Sequence, residues 1–469
     1  MTSSAYRSSC RLPFQEGGRF PQSKAGLSTF ASGKTLCVLL LAGFANLALA
    51  LEAIQPGTPA PSAAPSGILE KIVRVGPTRA IRTIGEAARQ AKNGDVVEID
   101  AGDYPADVAI WTQENLTIRA FNGRARLVAG TASAEGKGTW VVRGGKISVQ
   151  AIDFVGARAP QKNGAGIRFE KGHLIVQNCT FTDNENGILT AAGPAVLEVL
   201  NSEFDHNGTV DGFGHSIYAG KIDRLHVSGT YIHREVGGHL LKSRAAENHI
   251  VANRLTDEIE GKASYELEFP NGGVNYVIGN IIEQNPATEN PAIVAVGMEG
   301  YQWPRNELYL VNNTIANDRS EGGNFLSVKS GIQRVKAVNN LLIGPGAAIT
   351  GTTGELVEHV LPDVDAVKNS VRTLAVRANN LRHGTDAPPP PTEAGEFLNN
   401  LQVDWDQFML ASRYDYRLRP DSALIGKAVP AGTANNVDLT QRLQYLHPGQ
   451  TRTLQEAPTM PGAVQLMKP

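Results

Sequence analysis

The chain has 469 residues, 41% of them hydrophobic and 19% charged, with 49 Gly and 26 Pro, which leaves room for a large core and for many turns. Its 44 Lys and Arg stand against 46 Asp and Glu, so no overall field would draw it to nucleic acid or to an anionic membrane surface. Three cysteines are too few for a disulfide framework.

In chain order, the first 50 residues read as a targeting segment. Lys34 precedes the apolar run Leu36-Cys37-Val38-Leu39-Leu40-Leu41, and Ala48-Leu49-Ala50 supplies small residues at a cleavage site. The run is shorter than the roughly 20 residues of a spanning helix. A signal peptide over 1–50 and a secreted or periplasmic protein without a membrane anchor are therefore expected. Cleavage would remove Cys10 and Cys37, leaving Cys179 with no partner in the chain. Residues 51–66, rich in Pro and Ala, read as an extended linker.

The folded part is expected from residue 67. Thr83-Ile84-Gly85-Glu86 has the form of a capping box opening a short helix to about Lys92. Asn93-Gly94-Asp95 closes that helix before a strand at Val96-Val97-Glu98-Ile99.

From residue 147 onward a unit recurs: an apolar strand, one or two Asn or Gly, then a large apolar residue. Leu174-Ile-Val-Gln-Asn178-Cys-Thr-Phe181 and Leu308-Tyr-Leu-Val-Asn312-Asn-Thr-Ile315 are examples. The closing residues fall at Phe154, Phe181, Phe204, Ile232, Leu255, Ile282, Ile315 and Leu342, with steps of 27, 23, 28, 23, 27, 33 and 27. A step of about two dozen residues holds three short strands and three turns, which is one coil of a parallel β-helix whose stacked coils bury a common core. Asn at a bend tolerates the left-handed conformation and bonds to its neighbours.

Residues 67–350 are accordingly assigned to an all-β, right-handed parallel β-helix with a short N-terminal capping helix. The pattern weakens after Thr350, so 351–395, with its run Pro388-Pro389-Pro390-Pro391, reads as an irregular connector. Residues 396–430 read as a terminal coil, and 431–469 as a loosely attached C-terminal tail.

The opening from Ala80 to Tyr104 (a helix, Asn-Gly-Asp, a strand, then Ala101-Gly102-Asp103-Tyr104) resembles that of pectin-lyase-like β-helix proteins. Asp415-Tyr416-Arg417-Leu418-Arg419-Pro420 and the residues following, to Gly426, resemble their terminal coil. The resemblance spans about residues 70 to 430 and speaks for the fold rather than for a reaction. Asp211-Gly212 is similar to a segment of polygalacturonase-type hydrolases, but no adjacent Asp pair completes the two-carboxylate constellation. The calcium-binding acids and the Arg-x-Pro-x-x-Arg pattern of pectate lyases are also missing.

A second strand series runs between the Asn strands. If Ile217, Leu241 and Leu267 point inward, the period of two sets Tyr218, Lys242 and Glu268 outward on successive coils about 4.8 Å apart, with Arg244 and Glu266 on the same face. Nearby turns add His215, His239 and Asn271, and five of the ten histidines lie between 206 and 239.

β-Elimination on a uronate needs a carboxylate clamp, a base for the C5 proton and a donor for the leaving oxygen. Polysaccharide lyases on this fold use basic and phenolic groups for these tasks. Lys242, Arg244, Tyr218, His239 and Glu268 are therefore the candidate catalytic residues, and His215, Glu266 and Asn271 the candidate substrate-binding ones. The expected partner is an acidic polysaccharide, and the activity a lyase or an epimerase. The other readings are a non-catalytic glycan-binding or structural envelope protein, and a simple surface pair between Lys242 and Glu268. His233 and His239 are spaced as metal ligands sometimes are, but strand and turn geometry seldom converges such residues, so neither metal nor cofactor is expected. Tyr301-Gln302-Trp303-Pro304-Arg305 could offer exposed aromatics on which a sugar ring stacks, but reads rather as a packed loop.

Overall fold

The computed structural model describes residues 71–350 and 396–466, together with the backbone of 373–374 and 394–395. Residues 1–70 lie outside the described residues, and with them the expected signal peptide and linker. Most of the expected connector, 351–393, is likewise undescribed apart from Thr373–Leu374.

The chain folds as the expected parallel β-helix, of about ten coils. Each coil contributes one strand to each of three parallel stacks. The first stack runs from Ile72–Val75 through strands such as Ala195–Leu200, Glu247–Val251 and Glu307–Val311 to Ala394–Leu398. The second carries the closing residues of the repeat, and Phe154, Phe181, Phe204, Ile232, Leu255, Ile282, Ile315 and Leu342 pair in unbroken register. The period counted in the sequence is thus the coil itself. The third stack includes His215–Ala219, His239–Ser243, Tyr265–Phe269 and Ala292–Val296.

The helix Ile84–Gln90 opens the domain. Thr83 accepts from the Glu86 N–H at 3.2 Å, while the Glu86 carboxylate turns instead to Gln90 Nε2 at 2.9 Å. The first two N–H groups of the helix are taken by the Asp107 carboxylate at 2.6 and 3.0 Å.

Between the first and second stacks the Asn residues play two roles that the repeat had merged. The bend residue has positive φ at Asn178, Asn201, Gly229, Ala252, Gly279, Asn312, Asn339 and Asn399, where Asn and Gly are tolerated best. The residue after it faces inward and forms a ladder. The backbone N–H and Nδ2 of Asn253 both donate to Asn280 Oδ1, those of Asn280 to Asn313 Oδ1, and those of Asn313 to Asn340 Oδ1, all at 2.9–3.0 Å. Each Nδ2 also reaches a carbonyl of the preceding coil, as Asn280 does to Ile250 at 2.7 Å. Asn253 and Asn280 therefore belong to the ladder, and Ala252 and Gly279 hold the bends before them.

The C-terminal expectations need correction. Only Ala394–Leu398 and Leu401–Val403 take coil register, against Arg334–Val338 and Leu341–Ile343. Asp415–Leu418 instead pairs antiparallel with Phe408–Leu410, outside the helix. Nor is the tail loose. Phe408, Tyr416, Leu418, Leu424, Tyr445 and Met460 bury the outer apolar residues of the second stack, and Ala431, Ala434 and Leu439 bury those of the first. Asn435 Nδ2 ties this cover to the hydroxyls of Tyr276 and Tyr309. Apolar burial is the main reason such a tail stays docked.

The ladder predicts a split between neighbouring asparagines. Asn280→Ala orphans the buried N–H of Asn253 and should cost about 2–3 kcal/mol. Asn201→Gly, at a bend where positive φ suffices, should stay within about 1 kcal/mol. Urea unfolding of the two variants compares them directly, and equal losses would refute the division.

Candidate functional site

The third stack presents its outer side between the two covered faces. Tyr218 pairs with Lys242 and Lys242 with Glu268 in register, while Ile217, Leu241 and Leu267 are fully buried inside. The outward row is thus Tyr218, Lys242, Glu268, with Arg244 two residues beyond Lys242.

These side chains converge. Arg244 Nη1 donates to the Tyr218 hydroxyl, and its guanidinium lies 5.0 Å from the centre of that ring. Lys242 Nζ sits 3.1 Å from Glu268 Oε2, and His239 Nδ1 is 3.2 Å from the same oxygen. The pair is not a solvated one, since the Lys242 and Glu268 side chains are 12% and 3% exposed.

A further carboxylate completes the cluster. Glu299 bonds both terminal groups, Lys242 Nζ at 3.0 Å and Arg244 Nη2 at 2.6–2.7 Å. Its loop, 297–306, folds back over the face. Trp303 Nε1 donates to the Arg244 carbonyl at 3.0 Å, and Lys221 lies 4.9 Å from the Trp303 ring. Tyr301 packs against the core, and its hydroxyl donates to the Lys329 carbonyl at 2.5 Å, so the expected packed loop is what forms. Sequence reasoning missed Glu299. The signal was the step of 33 between Ile282 and Ile315, where the surplus residues make this loop.

Burial acts on the two histidines and the two carboxylates here. It drives His215 well below the usual histidine value, and the charges of His239, Lys242 and Arg244 push the same way. His239 is lowered by burial against the opposing pull of Glu268. For Glu268 burial alone would raise the carboxyl, but bonds and charges from His239 and Lys242 outweigh it and hold it low. Glu299 is held low in the same way by Arg244 and Lys242. His215 accepts from the His239 backbone N–H at Nδ1, 3.0 Å away, which leaves Nε2 as the place for the ring proton of a neutral imidazole. Its ring stacks on Tyr218 and lies 4.8 Å from that of His239.

Two expected substrate contacts are corrected. Glu266 is wholly buried. The start of each third-stack strand turns two successive side chains inward, as with Leu240 and Leu241 or Ile293 and Val294, so position 266 faces the core and not the row. Asn271 is buried too, and its Nδ2 holds the Gly300 carbonyl at 3.2 Å; it braces the loop that carries Glu299. The histidine-rich stretch also disperses. His226 joins His249 on the first stack, His233 stacks on Tyr231 in the second, and His206 bonds Asp205 at 2.7 Å, leaving His215 and His239 at the site.

Inside the corner between the second and third stacks a second ladder begins with Asn184 donating to Asn207 Oδ1 at 2.9 Å. Acids continue it. Glu235 accepts from Ser216 Oγ at 2.5 Å, and Asp257 accepts from the Glu235 and Ala263 N–H groups at 3.0 and 2.7 Å. Burial raises Asp257 to about 7 and lifts Glu235, Glu266 and Glu283 well above the carboxylate range.

Three parallel stacks around a ladder-lined core make this a parallel β-helix. Among solved structures the chain is similar to pectate lyase Pel9A, at 13% identity over 85% of this chain and 98% of that one, with a TM-score of 0.42. It is also similar to the PL6 family polysaccharide lyase Pedsa3628 from Pseudopedobacter saltans, at 12% identity over 75% and 96%, with a TM-score of 0.33. At these values no residue is carried from either protein to this one. Neither a family model nor a curated protein matches the sequence.

The buried acids set the pH dependence of stability. Between the ordinary value of 3.8 and about 7, the unfolded chain has released the Asp257 proton while the folded chain keeps it, so stability falls as pH rises through this window. Glu235, Glu266 and Glu283 act in the same sense. Glu268 and Glu299, held low, lose their contribution as pH drops below the carboxylate range. The melting temperature should therefore peak in mild acid and decline toward neutrality, and Asp257→Asn should reduce that decline. A melting temperature that climbs steadily from about pH 5 to 8 would contradict the assignment.

Proposed function

We propose that this protein is an exported enzyme that cleaves an acidic polysaccharide by β-elimination at the outer face of the third stack. One observation carries the reading: Arg244 is bonded to the Tyr218 hydroxyl on one side and to a carboxylate, Glu299, on the other. A uronate carboxylate entering the face would take the place of Glu299 on Arg244 and Lys242, keeping both cations paired as the pendant loop withdraws. Gly297 and Gly300, with φ of +81° and +90°, flank Glu299 and give the backbone freedom to do so. Neutralising the carboxylate favours loss of the adjacent C5 proton.

Tyr218 is the proton carrier in this scheme. Once the hydroxyl has released its own proton, its oxygen, held by Arg244, takes the C5 proton. The C–H electron pair becomes the C4–C5 double bond, and the C4–O bond breaks with its pair on the leaving oxygen. That oxygen receives the proton back from Tyr218, restoring the phenolate. Lys242 and Arg244 clamp the carboxylate, and His239, through Glu268, positions Lys242. Return of the proton to the opposite face of C5 without C–O cleavage would be epimerisation, so product analysis separates the two. Export rests on Lys34, the apolar run and Ala48-Leu49-Ala50.

Incubation with alginate, pectate or a glycosaminoglycan should raise the absorbance of the unsaturated uronate. Tyr218→Phe and Lys242→Ala should each lower turnover by about 10²-fold or more, and Glu299→Gln should lower KM. Retention on a uronate column without turnover, weakened by Lys242→Ala and Arg244→Ala, would instead establish a binding module.

A further inference from the structure

The row that holds Tyr218 and Lys242 continues toward the N-terminus. Tyr218 pairs with Leu189, and Leu189 with Arg168. Arg168 is half-buried, and its buried Nε has no hydrogen-bond partner. Its guanidinium enters no ion pair among the described residues, although Glu170 stands two residues away on the same strand. That carboxylate is spoken for, bonded to Lys137 at 2.6 Å and Arg143 at 2.8 Å. Burial weakens the hold of Arg168 on its charge, a cost that an anion in contact would offset.

The spacing suggests what that anion is. One coil rises about 4.8 Å, close to the length of one pyranose in an extended polysaccharide. Arg168 therefore lies two coils, about 10 Å, from Tyr218, with Leu189 between them as an apolar floor against which the hydrophobic face of a sugar ring can rest. Given the lyase reading above, on which this inference rests, we propose that Arg168 forms a subsite for the carboxylate of the uronate two residues from the one that reacts. Its planar fork suits bidentate capture of a carboxylate. The face then reads a repeating acidic polymer rather than a single charged sugar.

The test uses the full chain carrying Tyr218→Phe, which turns substrate over about 10²-fold more slowly or worse, and oligouronates of two to six residues titrated with and without Arg168→Gln. Arg168→Gln should weaken the hexamer about tenfold and the dimer by less than about twofold, with Arg168→Lys recovering part of the loss and melting temperatures unchanged. In the active enzyme the loss should fall on KM and grow with chain length. Equal losses at every length, or no loss at all while long chains still bind, would overturn the subsite and leave the lyase reading standing. If no oligouronate of any length binds, the lyase reading itself falls and takes the subsite with it.

Discussion

Every coil of this protein must turn sharply between sheets, and at each turn backbone N–H groups face an interior with no water. Those groups need partners. The Asn ladder from Asn253 to Asn400 provides them by having each coil accept from the one before it, so a coil displaced by one residue would leave a row of buried donors unpaired. Coil register follows from this, and from register follows the alignment of Tyr218, Lys242 and Glu268 on a face assembled from strands 24 and 26 residues apart in sequence. The site is a by-product of corner chemistry elsewhere in the coil.

The face is also defined by what covers its neighbours. The chain beyond Phe408 seals the outer sides of the first and second stacks with apolar side chains, and the third is left with the loop 297–306. A charged row with several partners suits that position. Lys242, Arg244, Glu268 and Glu299 balance as two cations against two carboxylates, so the cluster is neutral at rest and can exchange one internal carboxylate for an external one without leaving a charge uncompensated.

Much of this was legible in the sequence, for a physical reason. Core-facing residues such as Phe181 and Ile282 recur because each coil must place an apolar group at the same depth, and period two then put Tyr218, Lys242 and Glu268 on one side. What failed was local. Glu266 was expected beside them, but a bend at the strand start, which alternation does not encode, turned it inward. Asn253 and Asn312 looked equivalent although one donates along the ladder and the other holds a left-handed bend. Glu299 lay in a loop with no pattern, and only the overlong step around it marked the place. The histidines clustered in sequence diverged in space because neighbouring strands of one coil face three directions.

The sealed faces also bear on how the molecule comes into being. In chain order the coils come first and their cover last, so Tyr231, Ile281, Tyr276 and Tyr309 leave water only when Leu424, Leu439, Tyr445 and Met460 dock on them. Without that cover a stack with two apolar sides would stand open to any partner that offers an apolar surface. Residues 408–466 thus act as a closing clasp, and a chain lacking them would carry the same outward row on a molecule with two apolar faces open to association.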